Sequence, residues 1–495
     1  MSVSFSHIPS GIRVPLFYAE MDNSMANTAT GTLKTLLIGQ MTEGKAEAGK
    51  PVLVTSDSVG KELFGRGSVL ARMNTIYRKN DSTGEVWAIP FKDSEAMAKA
   101  SGSFTVKGEA SEAGTIYIYV GADRLQVGVA NGAAAADIAT SIATVISAKS
   151  DLPVTAEAAE GVVTLNAKNG GVIGNDIPLA VNRQGFSSGE DMPEGISIEV
   201  TAMAGGSGNP DFEDIGIASA MGDEEYDFIL MPYSDVSCLN VFKEIMDDST
   251  GRWSYAKQIY GHVYSVARGD VSSLIAIGGG RNNQHETIIG IEPATSSLAI
   301  EVLAAYGAKN AAAIAIDPAR PTQTLELAGI SCAPEGQRFT LSDRQTLLTN
   351  GIATEYTESG YMRVERAITT YQTNSFGDED NSYLDSETLH TLAYVTRQLR
   401  SCITSKYPRH KLASDGTRFG AGQAVVTPSI IRAELIALYS KLEKKAIVEN
   451  ADLFAENLIV ERDDDDPNRV NVLLPPDLVN QLRIFAVLNQ FRLQY

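Results

Sequence analysis

Cysteine and histidine are scarce in this 495-residue sequence, and each scarcity removes a class of chemistry. The three cysteines, Cys238, Cys332 and Cys402, are odd in number and far apart. They form neither a CxxC metal motif nor a disulfide framework, so reduced, buried thiols are expected. The five histidines, His7, His262, His285, His390 and His410, include no HxxxH or HExxH pair that would set two imidazoles on one helical face. No metal centre and no cofactor are therefore expected. Positive charge is also short: Lys and Arg total 41 against 61 Asp and Glu, a formal charge of -20. Such a surface repels phosphates and anionic lipid, so nucleic-acid binding is not expected. Residues 1–11 lack a basic segment followed by an apolar run, and no later run reaches the roughly 20 apolar residues that a bilayer demands. Neither a signal peptide nor direct membrane insertion is expected.

Catalytic motifs are missing too. No GxCxG occurs, and the single GxSxG match, Gly185 to Gly189, lies in a polar Gly- and Ser-rich stretch and not between a strand and a helix, so no nucleophile elbow is expected. Gly278, Gly279 and Gly280 do not form GxGxxG and no Walker lysine follows, which leaves a tight turn as the reading. In the run Asp463 to Asp466 four consecutive carboxylates point in different directions, as in a solvated loop before a strand and unlike a cation-binding loop. Asp270 and Glu286 are the carboxylates nearest in sequence to His262 and His285, and no catalytic constellation emerges from them.

What is present is folded globular material: 43% hydrophobic, 21% charged, with no low-complexity tract. At roughly 150 residues per domain, the length implies about three domains. Near the start, Val3, Phe5, Ile12 and Val14 alternate with polar residues and are interrupted by Pro9 and Pro15. Prolines cannot donate to a ladder, so this is either an extended arm suited to a sheet edge or a strand of its own domain. A polar stretch at 21–32 reads as a tether. The run LKTLLIG at 33–39 reads as a buried strand. Val59, Leu63, Leu70, Met73 and Ile76 predict a helix over 58–79, and 85–90 a second strand, the beginning of an α/β layer.

Between 102 and 182 the chain turns rich in Gly, Ala, Thr and Val. Period-two strands are expected at 103–107, 115–120, 125–129 and 162–167, with a helix over 134–148 whose Ile138, Ile142, Val145 and Ile146 share a face. This reads as a β-rich module spliced into the α/β unit, bounded by a linker at 183–195 and the GGSGNPD turn at 205–211. Strands at 228–231, 259–266, 288–291 and 313–316 then alternate with helices around 236–246 and 296–308, the pattern of a mixed or parallel sheet covered by helices. A third region opens at 341, with strands at 351–355 and 361–370 and a helix over 385–401 bearing Leu389, Leu392 and Leu399. Thr427 and Pro428 supply an N-cap and first-turn proline to a helix carrying Ile431, Leu435, Leu438 and Leu442 on one stripe. Strands at 469–474 and 482–493 are separated by Pro475 and Pro476. The expected class is a multidomain α/β (α+β) fold: a mixed sheet core with helices, an inserted β-rich module and terminal strand-forming arms. The expected divisions are an arm at 1–30, a core at 31–100 with 205–340, an outer module at 101–204, and a C-terminal domain at 341–495 ending in an arm strand at 483–495.

Four stretches carry a resemblance. FSHIPSGIRVPLFYAEMDNSMAN at 5–27, GRNNQHETIIGIEP at 280–293, NSYLDSETLHTLAYVTRQLRSCITSKYPRHKL at 381–412 and DPNRVNVLLPPDLVNQLRIFAVLNQFRL at 466–493 closely resemble the tail sheath proteins of Mu-like phages. The likeness runs the length of the chain and is weakest over 103–182, which is similar to the variable outer insertions of sheath proteins. It implies a structural subunit without enzymatic activity. Copies would polymerise with themselves as stacked hexameric rings around a tail tube protein, between baseplate and tail terminator proteins. Contraction would then drive the tube through the host envelope for genome delivery. The implied location is the virion, after assembly in the host cytoplasm.

In that family, chain ends add strands to the sheets of neighbouring subunits. The resemblance thus implies inter-subunit strand addition by Val3, Phe5, Ile8, Ile12 and Val14, and by Phe485, Val487, Phe491 and Leu493. Lys406, Arg409, His410 and Lys411, with Lys441, Lys444 and Lys445, form local positives on an acidic chain. Lys406, Arg409, Lys411, Lys441 and Lys444 are the tube-facing candidates, since complementary charge gives a salt-sensitive grip; an ordinary solvated face is the alternative. Two rival classes stand beside this reading. Another tail component, a tube or baseplate protein, fits the multidomain plan poorly, and an α/β enzyme lacks its motifs.

Overall fold

The computed structural model describes residues 32–420 and 422–493. They divide into two compact units, Leu392–Asn480 and a larger one made of Thr32–Thr391 with the end of the chain from Gln481.

The larger unit is built on an eight-stranded sheet, in the order Tyr361–Arg366, Ile352–Glu358, Glu286–Ile291, His262–Arg268, Phe228–Leu230, Lys34–Gln40, Glu85–Phe91, Val52–Leu53. The six inner strands run parallel, and the two outer ones close the sheet antiparallel. Parallel strands covered on both faces have no wet side, which explains why Leu36, Leu37, Ile38, Ile288 and Ile289 form unbroken apolar runs and all lie fully buried. The strands Ile352–Glu358 and Tyr361–Arg366 therefore belong to this sheet, and not to a third region beginning at 341.

One face of the sheet is covered by Val69–Asn80 and Ala299–Ile316. The second of these helices buries residues around most of its circumference, which is why its sequence is apolar throughout and not striped. The strand expected at 313–316 is its last turn: alanine favours helix most strongly, and the run Ala311–Ala313 carries the helix on to Ile316. The single helix expected over 58–79 is two, Asp57–Phe64 and Val69–Asn80. Gly65 and Gly67, at φ 83° and 78°, make the break, and Ser56 and Ser68 each cap the helix that follows. The glycine triplet at 278–280 ends the helix Val271–Gly279 and opens none, so its amides face the wrong way for a phosphate. Gly278 is there for close packing: a Cβ on it would stand 2.1 Å from the Asn350 carbonyl oxygen.

The β-rich insertion forms two antiparallel sheets. Four strands run in the order Ile196–Ala204, Ser101–Gly108, Val162–Ala167, Val154–Ala159, and three in the order Asp123–Val129, Gly114–Val120, Leu179–Val181. The helix Ala135–Ala148 covers them with Ile138, Ile142 and Ile146 buried; Val145, expected beside them, is half-buried. The insertion enters and leaves at one point, where Ala98 and Ser207 exchange backbone hydrogen bonds of 2.9 and 3.3 Å. Its apolar residues nevertheless merge with those of the main sheet into one continuous core.

The smaller unit contains the helix Pro428–Lys444, the helix Ala451–Asn457 and a hairpin of Ile459–Arg462 with Val470–Leu473. Thr427 caps the first helix and Pro428 sits in its first turn. Ile431, Leu435 and Leu442 are buried as the stripe predicts, while Leu438 is half-buried and Tyr439 takes the inner position, stacked on Phe454 at 3.7 Å.

Candidate functional site

Three surfaces hold the residues expected to bind other chains or expose apolar side chains: the end of the chain, the hairpin of the smaller unit, and the basic cluster. The N-terminal set Val3, Phe5, Ile8, Ile12 and Val14 lies outside the described residues.

At the end of the chain, the stretch read as a strand over 482–493 forms no strand in the single chain. Phe485, Val487, Phe491 and Leu493, which an extended backbone would point to one side, are 69% to 90% exposed, as are Ile484 and Leu488. Six large apolar side chains within ten residues thus stand in water. Residues 484–493 make no hydrogen bond or ion pair among the described residues, whereas Gln481, Leu482 and Arg483 are tied to the larger unit. Gln481 Nε2 donates to the Ala319 carbonyl at 3.0 Å, and Gln323 Nε2 to the Leu482 carbonyl at 3.2 Å.

The hairpin is a two-stranded sheet with Ile459, Val472 and Leu473 exposed. The acidic run lies in its turn. Asp463 accepts from the amides of Asp465 and Asp466 at 3.0 and 2.9 Å and from Asn471 Nδ2 at 2.7 Å. Those hydrogen bonds, led by the one from Asp466, hold its carboxyl below the usual carboxylate range. The first aspartate of the run is therefore an organiser of the turn.

In the basic cluster, Arg409, Lys411, Lys441 and Lys444 are exposed. Lys406 differs from the expectation: its Nζ lies 2.5 Å from Glu434 Oε1, and that carboxylate also accepts from Tyr407 Oη at 3.3 Å. The hydrogen bond to Glu434 raises the Lys406 ammonium above its ordinary value. Its charge is paired within the chain, with a carboxylate on the separate helix Pro428–Lys444. Lys445 likewise leans on Tyr394, with Nζ 3.2 Å from Oη.

The core holds polar pairs that sequence spacing did not reveal. Arg281 binds Glu286 through Nε and Nη2 at 2.9 and 2.7 Å, with both side chains nearly inaccessible. Thr370 Oγ1 adds a third hydrogen bond to Glu286 at 3.1 Å. His285 Nε2 lies 2.8 Å from Asp248 Oδ1, and His262 Nε2 lies 2.8 Å from Thr287 Oγ1. The carboxylates nearest in sequence are occupied elsewhere, since Asp270 caps the helix Val271–Gly279 and Glu286 serves Arg281. Burial drives the His262 imidazole well below its ordinary value, so it is neutral. Of the thiols only Cys238 is buried; Cys332 and Cys402 are partly accessible. Among the described residues no group of three or more His, Cys, Asp or Glu side chains is placed to hold a metal ion.

Aligned over 495 residues, the chain is 40% identical to the Mu-like prophage FluMu tail sheath protein of Haemophilus influenzae, covering 99% of this chain and 100% of that one. The chain belongs to the tail sheath family of Mu-like phages. Two family profiles agree with this: the phage tail sheath protein central domain matches residues 205–370, and the phage tail sheath C-terminal domain matches residues 378–492. A tail sheath protein is a structural component of the virion. The central match takes in five of the eight strands of the main sheet, from Phe228–Leu230 to Tyr361–Arg366, and the C-terminal match runs from before the helix Ser386–Lys406 into the exposed end of the chain. Among solved structures, the sheath tail protein of Desulfitobacterium hafniense is 12% identical with a TM-score of 0.49, covering 95% of this chain and 97% of that one. The sheath tail protein Lin1278 of Listeria innocua is 13% identical with a TM-score of 0.47, covering 92% and 94%.

Proposed function

We propose that copies of this sheath protein polymerise as stacked hexameric rings around a tail tube, linked by strands that the two chain ends add to the sheets of neighbouring copies. The observation that carries this reading is the segment 484–493, apolar, exposed and without a hydrogen bond to any of the described residues. An apolar stretch of this kind on a soluble component marks a surface made to be covered. The hairpin Ile459–Arg462 with Val470–Leu473 is the proposed acceptor. Two strands alone are marginal in water, and its exposed Ile459, Val472 and Leu473 offer apolar surface to strands added by other copies.

Main-chain bonds contribute roughly 0.5 to 1.5 kcal/mol each, so a strand of about five bonds supplies only a few kcal/mol. Each link is then reversible by itself. In a lattice every copy gives and receives such links, and the second contact forms at high effective concentration, so weak links add up to a stable cylinder. Links made by the chain ends also let the folded units turn and slide outward while strand pairing persists. Contraction in this reading releases strain stored on assembly, drives the tube through the host envelope, and starts from an extended lattice held as a metastable state. Arg409, Lys411, Lys441 and Lys444 are the proposed tube-facing charges, with a grip that weakens as salt rises. Tube, baseplate and terminator proteins are the proposed partners, and the host cytoplasm the place of assembly.

Negative-stain microscopy of the overexpressed full chain is expected to show long hollow cylinders. A chain lacking 1–27 and 484–495 is expected to stay unassembled. Normal cylinders from the truncated chain would refute strand exchange.

A further inference from the structure

We propose that Gln481, Leu482 and Arg483 form a clasp that fixes the root of the C-terminal arm to the larger unit, and so sets both the arm's reach and the place where a pull on it is received. The inference rests on the strand-exchange reading for its purpose, though not for its geometry. Arg483 Nη2 lies 3.1 Å from Asp385 Oδ1 and 3.2 Å from Glu387 Oε1. The Arg483 side chain is only 11% exposed and that of Glu387 not at all.

Neither carboxylate is there for Arg483 alone. Asp385 is gripped in two-pronged fashion by Arg366, Nε at 2.8 Å and Nη2 at 2.9 Å. Arg366 is the last residue of the outermost strand of the main sheet, Tyr361–Arg366. Glu387 Oε1 accepts from the Thr322 amide at 3.0 Å and its hydroxyl at 2.8 Å, one residue before the Gln323 that bonds Leu482. The root is thereby joined at once to a sheet edge, to the start of the helix Ser386–Lys406, and to the segment that follows the helix Ala299–Ile316.

Among the described residues bonding stops after Arg483, although apolar side chains recur over the next ten residues. Extended chain covers at most about 3.3–3.6 Å per residue, so with the clasp closed those ten residues reach about 35 Å. Withdrawing Arg483 would strand Glu387 as a buried charge without its cation, a costly state, so a pull on the arm is resisted first at residue 483. That pull passes through Asp385 and Arg366 into the sheet. With the clasp open it would pass back through Asn480 into the smaller unit.

The test uses the full chain with Arg483→Ala, read by hydrogen–deuterium exchange of the Thr322 amide, which donates to the clasp carboxylate of Glu387, in the unassembled protein and by cylinder length after a fixed shear. Exchange is expected to quicken by about tenfold or more, since local opening becomes cheaper, and cylinders to break several-fold shorter. Arg483→Lys, which keeps the cation but loses the fork, should fall between. If Arg483→Ala does not fold, the paired change Arg483→Met with Glu387→Gln removes the charge without leaving a partner stranded, and the same two readouts apply. Unchanged exchange at the Thr322 amide would overturn the clasp. Quickened exchange with cylinders as long as wild type would overturn its part in transmitting the pull. Normal cylinders from a chain lacking 484–495 would instead sink strand exchange itself, leaving the exchange result standing.

Discussion

Individual side chains decide which of the basic residues are available to a partner. Lys406 and Glu434 illustrate how burial and pairing compete. Burial pushes the Glu434 carboxyl up more than any one partner pulls it down, yet it ends below its ordinary value near 4.5 because the hydrogen bonds from Lys406, Cys402 and Tyr407 and the Lys406 charge together outweigh the lost hydration. A carboxylate depressed in the folded state stabilises the fold fully above its unfolded value, and that contribution fades as pH falls through the folded one. Lys406 is about a third exposed, so solvent screens the pair, and Glu434→Gln is expected to cost only about 1 kcal/mol at neutral pH. Urea titrations of the two proteins should differ at pH 7 and converge as pH falls through the folded Glu434 value, which lies below its ordinary one. None of this could be read from the sequence, where Lys406 and Glu434 are 28 positions apart. Arg72 and Glu301, 229 positions apart, were equally hidden, because such pairs exist only after the chain has folded.

At the scale of elements, residues whose burial and local preference agree were legible. The helix Val236–Met246 was predicted with those bounds, with Cys238, Leu239, Phe242 and Met246 buried on one face. Strands whose stability comes from pairing and not from composition were missed. Val154–Ala159, with three alanines and a glutamate, has little preference for a sheet; it forms one because Glu160 and Gly161, at φ 49° and 85°, fold it back onto Val162–Ala167. Ile196–Ala204 lies beyond a stretch read as linker and is held by the register that pairs Ile196 with Gly108. Packing also overrides propensity at the end of the helix Val271–Gly279. Gly278→Ala would gain up to about 1 kcal/mol as a helix former, but its Cβ would meet the Asn350 carbonyl oxygen at 2.1 Å and Ile352 Cγ1 at 2.9 Å. Overpacking of this kind costs about 1–3 kcal/mol, so a lower urea midpoint is the expected result.

For the whole molecule, the alternation of strands and helices was enough to foresee a helix-covered mixed sheet and a β-rich insertion. How closely the insertion is wedded to the sheet was not visible, because shared burial leaves no mark on local spacing. Ala98 and Ser207 are bridged, so cutting out 101–204 and joining the ends would strain no loop. The insertion's Phe104, Ile116 and Leu165 nevertheless belong to the same core as Leu70, Leu298 and Leu303, and Arg72 pairs with Asp123. Excision would bare that apolar face and leave a buried arginine with fewer partners. The shortened chain is expected in the insoluble fraction on expression, a result that a separately folding module would not give.

The bare end of the chain has a consequence for solubility. A copy that has not yet joined others carries a ribbon of phenylalanine, isoleucine, leucine and valine that the described residues leave exposed. Crowding therefore favours growth, and dilution favours single copies. Stray fragments that keep this ribbon but lose the body behind it would be the natural seeds of unwanted fibres.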